Sequence, residues 1–430
     1  MQIGKPFIGV SINYRLDAWG FISSQEVSGS GNTNLGLKDQ RLALHWVQEN
    51  IAAFGGDPKS VTMYQSHLTA HSSHQLTVSG PNWGESAGAE SVGFHITAFN
   101  GRDDQLFHRA IMQSGNPVNY NSFQATTVYQ PAYDDVVRQA GCKESIDALD
   151  CLRHVPFEQL NSFLNGSGTY WQPVIDGDFI ARYTSIQLDE GAFVRVPIIA
   201  GATTDEGTLW SKKGLNTSAD FREYATSNTT LAYLPEQFGD DVLEAYPNEQ
   251  AYWIPPVSEI PADAVFPAGF GAQYRRNAAY ETDFAIVALR RGTCEAWAHW
   301  STTAYCYRFN VHPAGIPWWM GVPHFSDVAF VFDNTEGLGY DQAHDSVNPF
   351  TSKPAAYTDL AKLMSQTWAR FIHDGSLDAV DGVVWPEYDL ETPQNLVWDA
   401  NRTDLVDSEA DTFRAEGIRF ILDHALNYKR

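Results

Sequence analysis

The sequence predicts an α/β fold, a doubly wound, mostly parallel sheet with helices on its faces. Three observations carry that expectation. Apolar runs of strand length recur along the chain, segments with helical spacing lie between them, and Gly84-Glu85-Ser86-Ala87-Gly88 reads as a sharp strand-to-helix turn. With 430 residues, 43% hydrophobic and 19% charged, the chain suits one large globular domain over residues 1–430. A formal charge of -24 and a pI near 4.8 leave no basic footprint for nucleic acid or an anionic membrane surface. No apolar run approaches the roughly 20 residues of a membrane span, and no secretory signal precedes the first run.

Phe7 to Ile12 is too short for a helix and reads as an interior parallel strand that leaves through Asn13-Tyr14-Arg15. Ser23 to Asn34, rich in Ser, Gly and Asn, reads as loop. Leu44, Val47, Ile51 and Phe54 recur at helical spacing, and Gly55-Gly56-Asp57-Pro58 supplies the stop. Beyond the pentapeptide, Ala89 to Thr97 continues as helix. Ala110 to Met112, Val196 to Gly201 and Ala304 to Phe309 are buried strands, and Leu360, Leu363, Met364, Trp368, Phe371 and Ile372 mark a long helix. Gln130 to Glu190 and Tyr252 to Tyr280 fit the sheet poorly and read as excursions over the site. Ligands of such sheets bind beyond the carboxyl ends of the strands.

In an elbow of this kind, small flanking residues let strand and helix approach, so the serine backbone is strained and its hydroxyl stands clear. Ser86 is therefore the candidate nucleophile, and the N–H of Ala87 is aimed at a developing oxyanion. A serine hydroxyl is a poor nucleophile at neutral pH; it needs a histidine to take its proton and an acid to orient that histidine. Both belong on loops after strands, in the order Ser, acid, His. Asp205 or Glu206 qualifies as the acid, and His324 qualifies as the base.

Cys142 with Cys151 and Cys294 with Cys306 fall into two local pairs, which favours disulfides over four buried thiols. N-x-S/T sequons at Asn165, Asn216, Asn228 and Asn401 lean toward an exported glycoprotein. His67, His71 and His74 have permissive metal spacing, yet no further ligand accompanies them and no metal site is expected.

Several blocks now in view resemble the type B carboxylesterase family, which includes cholinesterases and the large fungal lipases. They are Asn13-Tyr14-Arg15-Leu16, then Asn34-Leu35-Gly36-Leu37-Lys38-Asp39-Gln40, then Phe54-Gly55-Gly56-Asp57-Pro58, all ahead of the elbow. Ala110-Ile111-Met112-Gln113-Ser114-Gly115 and Val174-Ile175-Asp176-Gly177 match as well. The resemblance implies an α/β-hydrolase fold and two-step acyl transfer from a small-molecule or lipid ester to water, with no cofactor. Asp205-Glu206-Gly207-Thr208 is similar to the segment carrying the family's acid, which selects Glu206, and Gly321-Val322-Pro323-His324 resembles its histidine segment. The pair Cys142–Cys151 matches the family's short loop disulfide, and Cys294–Cys306 a pattern of fungal members. Beside the nucleophile, Glu85 would favour an imidazolium or bond nearby backbone, and Trp318 and Trp319 would line an acyl or alcohol pocket. Ser114 and Asp176 are expected to be structural.

Two departures stand out. The family's Gly-rich oxyanion turn lies upstream of the Asn-Tyr-Arg strand and has no counterpart here, so an N-terminally truncated and catalytically weakened or inactive chain is expected. Tyr64 to Asn82 separates Val61-Thr62-Met63 from Trp83 and reads as an insertion or retained intron, because the flanks rejoin into the family's pattern without it. Alternatively, Gln75-Leu76-Thr77-Val78 within it pairs as a substitute strand. Two functions stay open: an exported ester hydrolase, and a catalytically silent binding or adhesion protein on the same fold.

Overall fold

The structure, a computed structural model, describes residues 4–64, 85–227, 234–256, 260–340, 347–377 and 382–430. Among these residues six strands lie side by side in chain order: β1 (Thr62–Tyr64), β2 (Arg109–Gln113), β3 (Ile198–Thr203), β4 (Ala304–Phe309), β5 (Gln394–Trp398) and β6 (Val406–Ala410). The first five run parallel, and β6 returns antiparallel beside β5. A parallel sheet covered on both faces needs apolar residues at every position, because successive side chains point to opposite sides. The strands obey this. Ile111, Ile199, Tyr305, Tyr307 and Leu396 pack on Leu360, Met364, Trp368 and Phe371 of the long helix Ala355–Asp374. Their neighbours Ala110, Met112, Ile198, Ala200, Ala304 and Cys306 pack on Ala89, Val92 and Ile96 of helix Ala87–Gly101 and on Leu289 and Trp297 of helix Ala288–His299.

Both expected disulfides are present. Cys294–Cys306 ties helix Ala288–His299 to β4, and Cys142–Cys151 ties the turn after helix Thr126–Gln139 to helix Ala148–Arg153 in the excursion after β2. That excursion builds its own core from Tyr129, Tyr133, Val136, Leu164 and Phe179 against Ala18, Phe21 and Leu37, and adds no strand to the sheet.

Two expectations fail. Phe7 to Ile12 is irregular and largely exposed, with Phe7 and Ile8 each 44% accessible, and it pairs with no strand among the described residues. An apolar run becomes an interior strand only where neighbouring backbones accept its N–H and C=O groups on both sides. Ser23 to Asn34 is not all loop, because Ser24 caps a short helix, Gln25–Gly29, by accepting from Val27 N at 3.1 Å.

The ladder between β1 and β2 bears on the segment before the elbow. Tyr64 is opposite Ile111, and Glu85 is opposite Gln113, so a single register position separates residues that are far apart in sequence. Most of Tyr64 to Asn82, including Gln75 to Val78 and the three histidines, lies outside the described residues.

Candidate active site

The parallel strands deliver the predicted site residues to one edge of the sheet. Glu85 makes the last bridge to β2, and the chain then turns at Ser86 into helix Ala87–Gly101. Ser86 has φ 61° and ψ -128°, a sparsely populated conformation for a residue with a side chain. Surrounding contacts hold it there: Ser86 N donates to Gln113 O at 2.9 Å, and Ser86 O accepts from Glu90 N at 3.0 Å. A Cβ on Gly115 would lie 2.4 Å from Ser86 O, so the neighbouring strand end must also be bare. Ala87 is the first helical residue, and its N–H is one of those that a helix leaves without an internal partner.

Beyond β3, a short 3-10 turn runs from Glu206 to Leu209. Glu206 is fully buried. One carboxylate oxygen accepts from Ser114 Oγ at 2.5 Å and Thr203 N at 2.6 Å, and the other meets His324 Nδ1 at 2.5 Å. Asp205 does something else: its Oδ2 accepts from Val322 N at 2.8 Å and packs under Gly321, whose positive φ of 58° leaves no space for a Cβ. Asp205 thus shapes the loop on which His324 stands.

The opposite ring nitrogen, Nε2, lies 2.9 Å from Glu85 Oε1, although among the described residues no aligned hydrogen bond reaches that oxygen. Among the described residues no hydrogen bond joins Ser86 Oγ to His324; the contact between their segments runs through Glu85. Burial opposes charge on the ring, but the carboxylates of Glu85 and Glu206 outweigh it and hold His324 well above the ordinary imidazole range. Burial likewise pushes Glu85 up to about 7, against the pull of His324. The ring is also bounded by Trp210, edge-on at 5.2 Å.

Behind Glu85, Gln113 Nε2 and Tyr307 Oη donate to Asp327 Oδ2 at 2.9 and 2.6 Å, and Tyr64 Oη bonds Gln113. Sequence reasoning passed over this group, and it undervalued Ser114, which grips Glu206 directly. The available signal was position: Gln113 ends the buried strand β2 and Ser114 follows it, at the edge where Ser86 emerges. Asp176 accepts from Thr33 Oγ1 and Asn34 Nδ2, away from His324. Trp318 and Trp319 are half-buried in the turn Trp318–Met320, where Trp318 meets Phe266 at 4.8 Å and Trp319 meets Phe270 at 6.2 Å.

The sequence profile of the carboxylesterase family matches residues 5–415. The chain belongs to the carboxylesterase family. It is 33% identical over 308 residues to lipase 2 of Diutina rugosa, covering 67% of this chain and 50% of that one. It is 28% identical over 446 residues to the secreted triacylglycerol lipase LIP1 of Gibberella zeae, covering 98% of this chain and 66% of that one. The chain thus spans between half and two thirds of these lipases. Its backbone matches the crystal structure of Aspergillus niger EstA with a TM-score of 0.74 at 22% identity, over 97% of this chain and 74% of that one. The fold is that of an α/β-hydrolase.

Of the sequons in this carboxylesterase-family chain, Asn165, Asn216 and Asn401 are exposed, and Asn228 lies outside the described residues. Among the described residues no cluster of His, Cys, Asp or Glu has the makings of a metal site, and no helix is long and apolar enough to cross a membrane.

Proposed function

We propose that this protein hydrolyses carboxylic esters through Ser86, His324 and Glu206, by way of an acyl-enzyme. The observation that carries this reading is the double engagement of His324: Nδ1 on buried Glu206, and Nε2 beside the residue that precedes the strained serine. His324 in its neutral form takes the Ser86 proton as the hydroxyl attacks the ester carbonyl, then passes it to the leaving alcohol. Water repeats the sequence and releases the acid. Glu206, bonded to Nδ1, fixes the tautomer in which Nε2 is the basic nitrogen, and Glu85 stabilises the imidazolium that forms. The N–H of Ala87 is one donor to the oxyanion.

Relatives described as lipases support an ester substrate, with Trp318 and Trp319 as part of the wall that receives its acyl or alcohol portion. Two disulfides, three exposed sequons and a relative described as secreted support an exported glycoprotein. Hydrolysis of p-nitrophenyl esters is the test. Ser86→Ala is expected to abolish it, and an alanine variant within tenfold of the parent would remove Ser86 from the mechanism.

A further inference from the structure

The turn that carries Glu206 is held from behind by helix Tyr274–Thr282. Gly207 sits so close to that helix that a Cβ would lie 2.5 Å from Thr282 N, 2.8 Å from Ala278 O and 2.8 Å from Glu281 Cβ. Its N–H donates to Thr282 Oγ1 at 2.8 Å. The same turn ends at Trp210, the ring that meets His324 edge-on. Glu281 stands at the junction. Its Cβ abuts Gly207, its carboxyl faces the side chains of Tyr224 and Trp210, which favour its charged form against the cost of burial, and only 5% of the residue is exposed.

A carboxyl is a costly side chain to bury, and an aliphatic one would pack this position without that penalty. What the carboxyl adds is a charged acceptor beside the Trp210 indole. We propose that Glu281 is a positioning residue for the Glu206–His324 pair, bracing the Glu206–Leu209 turn and fixing the Trp210 ring against His324. The proposal rests on the triad reading above. Burial raises Glu281 to about 7, so the brace is ionised, and strongest, above that pH. The titratable groups around it are Tyr224 of helix Ser218–Ala225, Tyr280 of its own helix, and Tyr428 and Arg430 at the end of the chain.

The test follows the His324 Nδ1 proton of the full chain by NMR and reads its exchange with water, which requires no turnover. A protected proton that Glu206→Gln releases is expected; its absence from the parent, or indifference to Glu206→Gln, overturns the triad reading itself. Given that proton, Glu281→Gln is expected to speed exchange roughly 3- to 10-fold at about pH 8.5 and little at about pH 5.5. Trp210→Phe is expected to speed it comparably and to make Glu281→Gln silent. Unchanged exchange in Glu281→Gln, an equal change at both pH values, or an effect that survives in the Trp210→Phe background overturns the proposal. If Glu281→Gln does not fold, Trp210→Phe decides alone, and no acceleration in it overturns the proposal.

Discussion

At the scale of single residues, His324 is governed by two carboxylates on opposite nitrogens. A general base must be neutral to accept a proton, and Glu85 and Glu206 both favour the charged ring. Replacing Glu85 by Gln removes one of them and lowers the His324 pKa, so the acid limb of kcat/KM is expected to move to lower pH by about one unit. A pH-rate profile checks this; a limb that stays in place or moves up removes Glu85 from the control of His324. The neighbouring acids separate differently. Glu206→Gln is expected to lower kcat by about 10⁴-fold, and Asp205→Asn by less, because Asp205 holds the Gly321–Val322 backbone and not the ring. The opposite ranking in steady-state kinetics would reassign the acid. Bottom-up, the sequence left Asp205 and Glu206 open, because adjacent residues on one turn differ only in where the turn points them. The family resemblance chose between them, and the hydrogen bonds give the physical distinction.

At the scale of elements, β2, β3 and β4 were legible because burial on both faces leaves an unbroken apolar run, as in Ile198-Ile199-Ala200. Phe7 to Ile12 carries the same signal and forms no strand, since pairing is a property of neighbours and not of the run. β6 was overlooked for the converse reason: Val406-Asp407-Ser408-Glu409-Ala410 is an exposed edge, and its polar residues hide the ladder it makes with β5. The register at the elbow supports the proposal that Tyr64 to Asn82 is an insertion. Met63 is opposite Ala110 and Glu85 opposite Gln113, so in a chain lacking that segment the two residues left between them would match the two between Ala110 and Gln113. Such a deletion variant is therefore expected to keep the strand in register and to match or exceed the parent in soluble yield and esterase activity. Lower yield and lower activity together would make the segment a genuine part of the fold.

At the scale of the whole molecule, several buried groups near the site titrate above their ordinary range. Burial raises Glu85 and Glu281 to about 7 and Glu90 to about 8, and His324 is raised by its carboxylates. Groups that bind protons more tightly when folded stabilise the protein below their unfolded pKa values and lose that contribution as pH rises through the folded ones. Asp411, held low by Arg290 and Arg291 against the cost of burial, acts in the opposite sense at the acid end. Thermal stability is accordingly expected to be greatest near about pH 5 and to fall toward about pH 8, a trend that calorimetry across that range checks and that a rise toward pH 8 would contradict. The central claim is that Ser86 is a nucleophile activated by His324. The most direct measurement is reaction of the intact protein with diethyl p-nitrophenyl phosphate, which phosphorylates an activated serine without requiring turnover, followed by peptide mass mapping. One diethylphosphoryl group on Ser86, absent in Ser86→Ala and greatly slowed in His324→Ala, is the predicted result; no adduct, or one formed at the same rate without His324, would contradict it.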